Sequence, residues 1–153
     1  IRALVDLTLT FAPQISAVQG GILNVASTAA FQPGPGMAVY YASKAFVLSF
    51  SEAMAQELSE RGVSVSALCP GPTKTGFQAR AGIDSSMLLT RLSSMSARDV
   101  AEAGYAGLMS GRRVVVPGLL NKFTALTAPF TPHALLLPLV ARLQKKRSGS
   151  KPA

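Results

Sequence analysis

The sequence has only one cysteine, Cys69, and only one histidine, His133, among its 153 residues. One cysteine excludes an internal disulfide, and one cysteine with one histidine provides too few ligands for a metal site. The low cysteine content fits a reducing compartment, so we expect a cytoplasmic protein. Polar residues or prolines interrupt every apolar stretch before it reaches roughly 18 residues, so we expect no membrane-spanning helix.

Acidic residues are also scarce: seven Asp and Glu stand against 15 Lys and Arg, which gives a net charge of +8. Much of the basic excess lies late in the chain, at Arg112, Arg113, Lys122, Arg142, Lys145, Lys146, Arg147 and Lys151. Two interpretations remain open, a solvated basic tail and a contact with anionic lipid or another acidic partner. No nucleic-acid partner is expected, because no interleaved basic and aromatic surface accompanies the charge.

A hydrophobic content of 48% is enough for the core of one domain. Apolar periodicity and turn residues predict alternating helices and short apolar strands. The predicted helices cover residues 1–18, 38–60 and 97–109, with a shorter one near 86–93, and the predicted strands cover 22–26, 63–68 and 112–117. We expect a loop over residues 28–37 and a polar, flexible stretch over residues 72–86. This order predicts an α/β fold with a parallel sheet of about three strands and right-handed crossovers.

The last part of the chain has a helical pattern over residues 118–147 that is interrupted by Pro129, Pro132 and Pro138. Its second half is first apolar and then basic. Such a helix fits packing against its own domain or a partner subunit, and it also fits an interfacial membrane contact. From Ser148 onward we expect disorder.

Tyr40 and Lys44 are four residues apart at the start of the longest predicted helix, so their side chains lie on one face. A phenol is a poor acid near neutral pH, and an ammonium one turn away favours its phenolate form. The hydroxyl of Ser27, brought alongside, would hold a carbonyl or alcohol oxygen while the phenol exchanges a proton. The spacing by itself also fits an ordinary amphipathic helix, so the surrounding motifs must decide.

Three motifs together resemble the second half of a short-chain dehydrogenase/reductase: residues 20–27, which end in Ser27, the pair Tyr40 and Lys44, and residues 70–75. The resemblance runs from residue 1 to about residue 118 and implies part of a doubly wound, Rossmann-like sheet. The family's glycine-rich phosphate loop and its helix asparagine have no counterpart here. We therefore expect the C-terminal half of a dinucleotide-binding domain over 1–118, a helical tail over 119–147 and a disordered end over 148–153.

The resemblance implies the role of each site residue. Ser27, Tyr40 and Lys44 would be catalytic, with Tyr40 as the acid–base and its neighbour Tyr41 packing or facing the substrate cleft. Lys44 would also bind the nicotinamide ribose. The cofactor is expected to be NAD or NADP, held by Tyr40, Lys44, Pro70, Gly71, Thr73 and Thr75.

The implied function is NAD(P)(H)-dependent interconversion of a carbonyl and a secondary alcohol. The expected cleft-lining residues favour an apolar small molecule: Ala29, Phe31, Pro33, Met37 and the stretch 77–87. The alternatives are a catalytically silent fragment with a structural or dimerisation role, and membrane-surface association through the tail. A complete parent protein is expected to be a homodimer or tetramer.

Overall fold

The computed structural model describes residues 1–74 and 93–148, the side chains of residues 143–148 excepted. The helices are α1 (Arg2–Ala17), α2 (Ala38–Ser59), α3 (Ala97–Met109), α4 (Leu119–Thr127) and α5 (His133–Ser148). The strands are β1 (Gly21–Val25), β2 (Ser64–Leu68), β3 (Thr73–Lys74), β4 (Met95–Ser96) and β5 (Val114–Val115). Short 3₁₀ helices cover Thr28–Phe31 and Ala128–Phe130.

Strands β1, β2 and β5 form a parallel sheet in the order β1-β2-β5, which confirms the predicted fold class. Val25 lies opposite Leu68, so β1 and β2 end at the same level of the sheet. The residues that follow the two strands are therefore neighbours in space, as expected where parallel strands end at one edge.

Helices pack on both faces of the sheet. Successive side chains of β2 point to opposite faces, so the strand contacts a helix on each side. Val65 packs with Met54 and Leu58 of α2 in one buried cluster, and Leu68 packs with Val100 of α3 in another. Burial on both faces explains why strands β1, β2 and β5 contain no charged residue.

One buried polar contact ties β1 to α2. The Asn24 amide donates a hydrogen bond of 3.0 Å to Ser51 Oγ, and that hydroxyl donates to the Val47 carbonyl at 2.7 Å. Because buried polar groups are costly to leave unpaired, this chain of bonds restrains the position of α2 against the strand. Asn24 thus has a structural partner inside the fold.

The predicted loop at 28–37 is wrong at its start, where residues Thr28–Phe31 form a 3₁₀ helix. Ser27 accepts a hydrogen bond from the Ala29 amide and so caps this turn. The predicted third strand is shortened to Val114–Val115. Arg112, the first residue of the predicted strand, belongs to the turn that closes α3, because its amide donates to the Gly107 carbonyl.

Two further differences concern short or terminal segments. Residues Thr73–Lys74, predicted to be flexible, pair in parallel with Met95–Ser96. Helix α5 continues through Pro138 and includes Ser148, which was expected to be disordered. The predicted helix near 86–93 and the chain end after Ser148 lie almost wholly outside the described residues.

Candidate active site

The end of β1 and the end of β2 are joined directly by hydrogen bonds. The Thr28 amide donates to the Pro70 carbonyl at 2.9 Å, and the Ser27 hydroxyl donates to the same oxygen at 3.4 Å. Ser27 Oγ also accepts from the Ala29 amide at 3.1 Å, which fixes the direction of its side chain. The predicted serine and the predicted Pro-Gly turn therefore lie side by side at one edge of the sheet.

Lys44 reaches the same edge from helix α2. Its Nζ donates a hydrogen bond of 2.9 Å to the carbonyl of Val25, the last residue of β1 and two residues before Ser27. The side chain is half-buried, and burial lowers the pKa of the Lys44 ammonium from its ordinary value. An ammonium has three donors. Among the described residues, the hydrogen bond to Val25 uses one of these donors.

Tyr40 is the tyrosine associated with Lys44. The Lys44 Nζ lies 5.9 Å from the centre of the Tyr40 ring, within the range of a cation–π contact. The two tyrosine rings meet edge to face at 5.9 Å. Tyr41 packs instead against Gly34, where a Cβ atom would collide with the Tyr41 ring. The two tyrosine rings thus have different surroundings: Tyr40 lies near Lys44, and Tyr41 packs against Gly34.

The Pro-Gly turn after β2 is held from two sides. The Thr73 hydroxyl donates to the Gly71 carbonyl at 3.1 Å, and the Met95 amide donates to the Pro72 carbonyl at 3.1 Å. The Gly71 Cα faces Asn121, so close that a Cβ on Gly71 would collide with the Asn121 side chain. Gly71 is therefore required by packing, because no positive φ angle applies to it.

Asn121 is the residue of this region that sequence reasoning missed. It is only 4% exposed, and its amide nitrogen donates to the Pro117 carbonyl at 2.8 Å and to the Ser93 carbonyl at 3.2 Å. One side chain thus joins the Pro-Gly turn, the segment before β4 and the start of α4. A signal for it exists in the sequence, since a polar residue stands among apolar ones in the first turn after Pro117-Gly118.

Cys69, at the end of β2, is fully buried, and burial raises the pKa of its thiol to about 12. A thiol in that state is neutral near pH 7 and a poor nucleophile, so Cys69 serves as a small packing residue. His133 is exposed at the start of α5. Within residues 1–74 and 93–148, no three metal-binding side chains cluster.

The structure brings most of the predicted site residues to one edge of the sheet. Ser27 follows β1, Lys44 and Tyr40 reach it from α2, and Pro70, Gly71 and Thr73 follow β2; Thr75 lies outside the described residues. The expected cleft lining stays a prediction. Ala29 is only 8% exposed and Phe31 packs against the hydrophobic core, because the 3₁₀ turn directs them inward. Residues 77–87 lie outside the described part.

Ligands of open α/β sheets bind beyond the carboxyl ends of the strands, which is the edge that carries these side chains. The sheet and its two helical layers define a Rossmann-like α/β protein. A family model described as short chain dehydrogenase matches residues 1–86. The chain belongs to the short-chain dehydrogenase family.

Individual relatives agree with this assignment. Sulfoacetaldehyde reductase of Chromohalobacter salexigens is 39% identical in an alignment of 108 positions that covers 67% of this chain and 43% of the relative. Human dehydrogenase/reductase SDR family member 4 is 34% identical over 85 residues, or 55% of this chain and 31% of the relative. A solved short-chain dehydrogenase from Sphingobium yanoikuyae in complex with NADPH superposes with a TM-score of 0.68 and 30% identity, covering 100% of this chain and 55% of that one. The chain thus spans less than half the length of these curated relatives.

Proposed function

We propose that this chain contributes the acid–base half of an NAD(P)(H)-dependent oxidoreductase that interconverts a carbonyl group and a secondary alcohol. The observation that carries the proposal is the hydrogen bond from Lys44 Nζ to the Val25 carbonyl. It places an ammonium beside Tyr40 and two residues from Ser27, at the ligand-binding edge of the sheet.

In the proposed reaction, Ser27 orients the substrate oxygen and Tyr40 exchanges a proton with it. During reduction the phenol donates its proton to that oxygen, and during oxidation the phenolate accepts the proton of the alcohol. The ammonium of Lys44 stabilises the negative charge that the phenol oxygen acquires in the first case. A bound NAD or NADP supplies or accepts the hydride.

The residues present suit such a cofactor. The ammonium of Lys44 is a donor for vicinal hydroxyls of the kind found on a ribose. The Pro-Gly turn accepts hydrogen bonds from Thr73 and Met95 and packs against Asn121, so it offers a fixed backbone edge next to Ser27. We assign Tyr40, Lys44, Pro70, Gly71 and Thr73 to cofactor contact, with Thr75 following the turn. The apolar nature of the substrate, a dimeric or tetrameric parent and a cytoplasmic location stay predictions.

The test compares Tyr40→Phe with Tyr41→Phe in the protein that carries this segment. We expect Tyr40→Phe to abolish carbonyl reduction while the Kd for the nicotinamide cofactor changes little, because the phenyl ring keeps the packing and loses only the proton. Tyr41→Phe is the matched control and should retain turnover. Loss of cofactor binding together with turnover in Tyr40→Phe would contradict the assigned role.

A second candidate function is association without catalysis by the 153-residue chain itself. Among the described strands β1 pairs with β2 alone, and Val25 at its end is 55% exposed. Beside this open edge an apolar groove of about 690 Å³ runs between α1 and β1, lined by Leu4, Leu7, Phe11 and Ile22 among others. An unpaired strand edge and an apolar groove suit the addition of another strand. Calorimetric binding of NADH or NADPH to this chain tighter than millimolar would argue against catalytic silence.

A further inference from the structure

Basic and acidic residues are divided unevenly along the chain. All seven acidic residues lie within residues 1–102, together with seven of the 15 basic ones, so that part is neutral. Residues 103–153 contain the other eight basic residues and no acidic residue. The entire net charge of +8 therefore belongs to the region that contains α4 and α5.

Helix α4 presents large apolar side chains to solvent along one face. The relative exposures are 85% for Leu119, 64% for Phe123, 68% for Leu126 and 82% for Phe130 in the adjoining 3₁₀ turn. Spacings of four, three and four residues place these side chains in one stripe. The opposite side of the helix is buried, at Asn121, Ala125 and Ala128.

Helix α5 also exposes apolar side chains in its first half, and basic residues follow them in its second half. Leu136 and Val140 are buried, whereas Leu135 and Leu139, also four residues apart, are 68% and 56% exposed. The next position on that outward face is Arg142, which is exposed. Further along, the sequence adds basic residues at 145, 146 and 147.

We propose that the outward faces of α4 and α5 form a docking surface for an anionic lipid bilayer. The apolar side chains of Leu119, Phe123, Leu126 and Phe130, and those of Leu135 and Leu139 on α5, would insert shallowly among the lipid head groups. Lys122 and Arg142, which are both exposed, would contact the anionic head groups. A helix that combines an apolar face with Lys and Arg binds membranes in this way.

Charge decides between the possible occupants of this surface. A second copy of the chain would bring together two regions that carry only positive charge, and such a juxtaposition is repulsive. An anionic bilayer attracts each basic residue of this region. Because residues 1–102 have no net charge, the attraction acts on the region that contains α4 and α5. None of the helices in the described ranges is long and apolar enough to cross a membrane.

Co-sedimentation of the 153-residue chain with vesicles tests the proposal. We expect the chain to pellet with equimolar phosphatidylcholine–phosphatidylglycerol vesicles, to stay in solution with phosphatidylcholine alone, and to be released by salt. Each basic residue near an anionic surface contributes about fivefold to partitioning. Lys122→Gln with Arg142→Gln should therefore weaken binding about 30-fold.

A second variant removes the apolar part of the contact. Phe123→Ser with Phe130→Ser should reduce partitioning more than about tenfold, and both side chains are exposed enough that folding is spared. The matched apolar control is Tyr105→Ser with Met109→Ser, which are exposed at 64% and 68% and lie four residues apart on α3. The matched charge control is Arg61→Gln with Arg98→Gln. Both controls should bind like the parent chain.

Several results would overturn the proposal. Equal pelleting with neutral and anionic vesicles would remove the charge argument, and equal losses in test and control variants would remove the assignment to α4 and α5. A chain that stays in solution with both kinds of vesicle would end the proposal outright. Self-association of the chain without lipid, lost in Phe123→Ser with Phe130→Ser, would assign the face to a second copy instead.

Discussion

The contact between Gly71 and Asn121 gives a prediction that can be tested on the isolated chain. Gly71→Ala places a methyl group against the Asn121 side chain. The amide of Asn121 has little freedom to move away, because its nitrogen is bonded to the Pro117 and Ser93 carbonyls. Overpacking of this kind costs about 1–3 kcal/mol. At about 2–4 °C per kcal/mol for a chain of this size, Tm should fall by several degrees.

Asn121→Ala by itself should also destabilise the fold. The hydrogen bonds to the Pro117 and Ser93 carbonyls are lost, and the loss at the buried Pro117 carbonyl costs about 1–3 kcal/mol. The double variant should then be less destabilised than the sum of the two single variants, because the methyl group added by Gly71→Ala occupies space that the amide vacates. Contacting residues show interaction energies of about 0.5–3 kcal/mol in such cycles.

Urea unfolding followed by circular dichroism measures all four corners of the cycle. Gly111→Ala serves as the matched control. Gly111 has φ of +67° and no neighbour within 4 Å of an added Cβ, so its cost is conformational and Asn121→Ala should not reduce it. Additive effects of Gly71→Ala and Asn121→Ala would refute the reasoning that packing against Asn121 requires the glycine.

Three further predictions concern the core and the site. Ser51→Ala should lower the free energy of unfolding by about 1–3 kcal/mol, because it removes the partner of the buried Asn24 amide; an unchanged urea midpoint would contradict this. Cys69 should resist thiol reagents until the chain unfolds, since it is fully buried with its pKa raised to about 12. As the pH rises, the Cys69 thiol ionises at a lower pH in the unfolded chain than in the folded chain, so the free energy of unfolding should decline from about pH 9 toward pH 12. This decline should be steeper than in Cys69→Ala by at most about 1.4 kcal/mol per pH unit. Lys44→Met should reduce both cofactor affinity and turnover of the complete protein; unchanged affinity would mean that the ammonium does not contact the cofactor.

The local sequence was a sufficient guide to most of the elements. Helix α3 begins at a serine cap, because Ser96 Oγ accepts the Asp99 amide, and Gly62 and Gly111 with positive φ follow the ends of α2 and α3. Periodicity predicted α1, α2 and α3 to within about two residues, because it reflects a core that lies on one side of each helix. The 3₁₀ turn after Ser27 was missed because a hydroxyl cap closes a single turn without any repeating pattern.

Pairings between distant segments were not predictable in the same way. The ladder of Thr73–Lys74 with Met95–Ser96 consists of two residues on each side, too few for a periodic signal. The inward direction of Ala29 and Phe31 likewise depends on the helix that packs over the turn. Neither segment has a local preference strong enough to reveal its partner.

By itself the sequence determined the order of the main helices and strands, the parallel α/β class and the spacings of Ser27, Tyr40 and Lys44. These features depend on spacings within a few turns of chain. The tertiary structure alone decided that Lys44 bonds to the Val25 carbonyl and that Asn121 lies against Gly71. Such contacts join residues that are far apart in the chain, and they form only when the sheet brings its strand ends to a common edge.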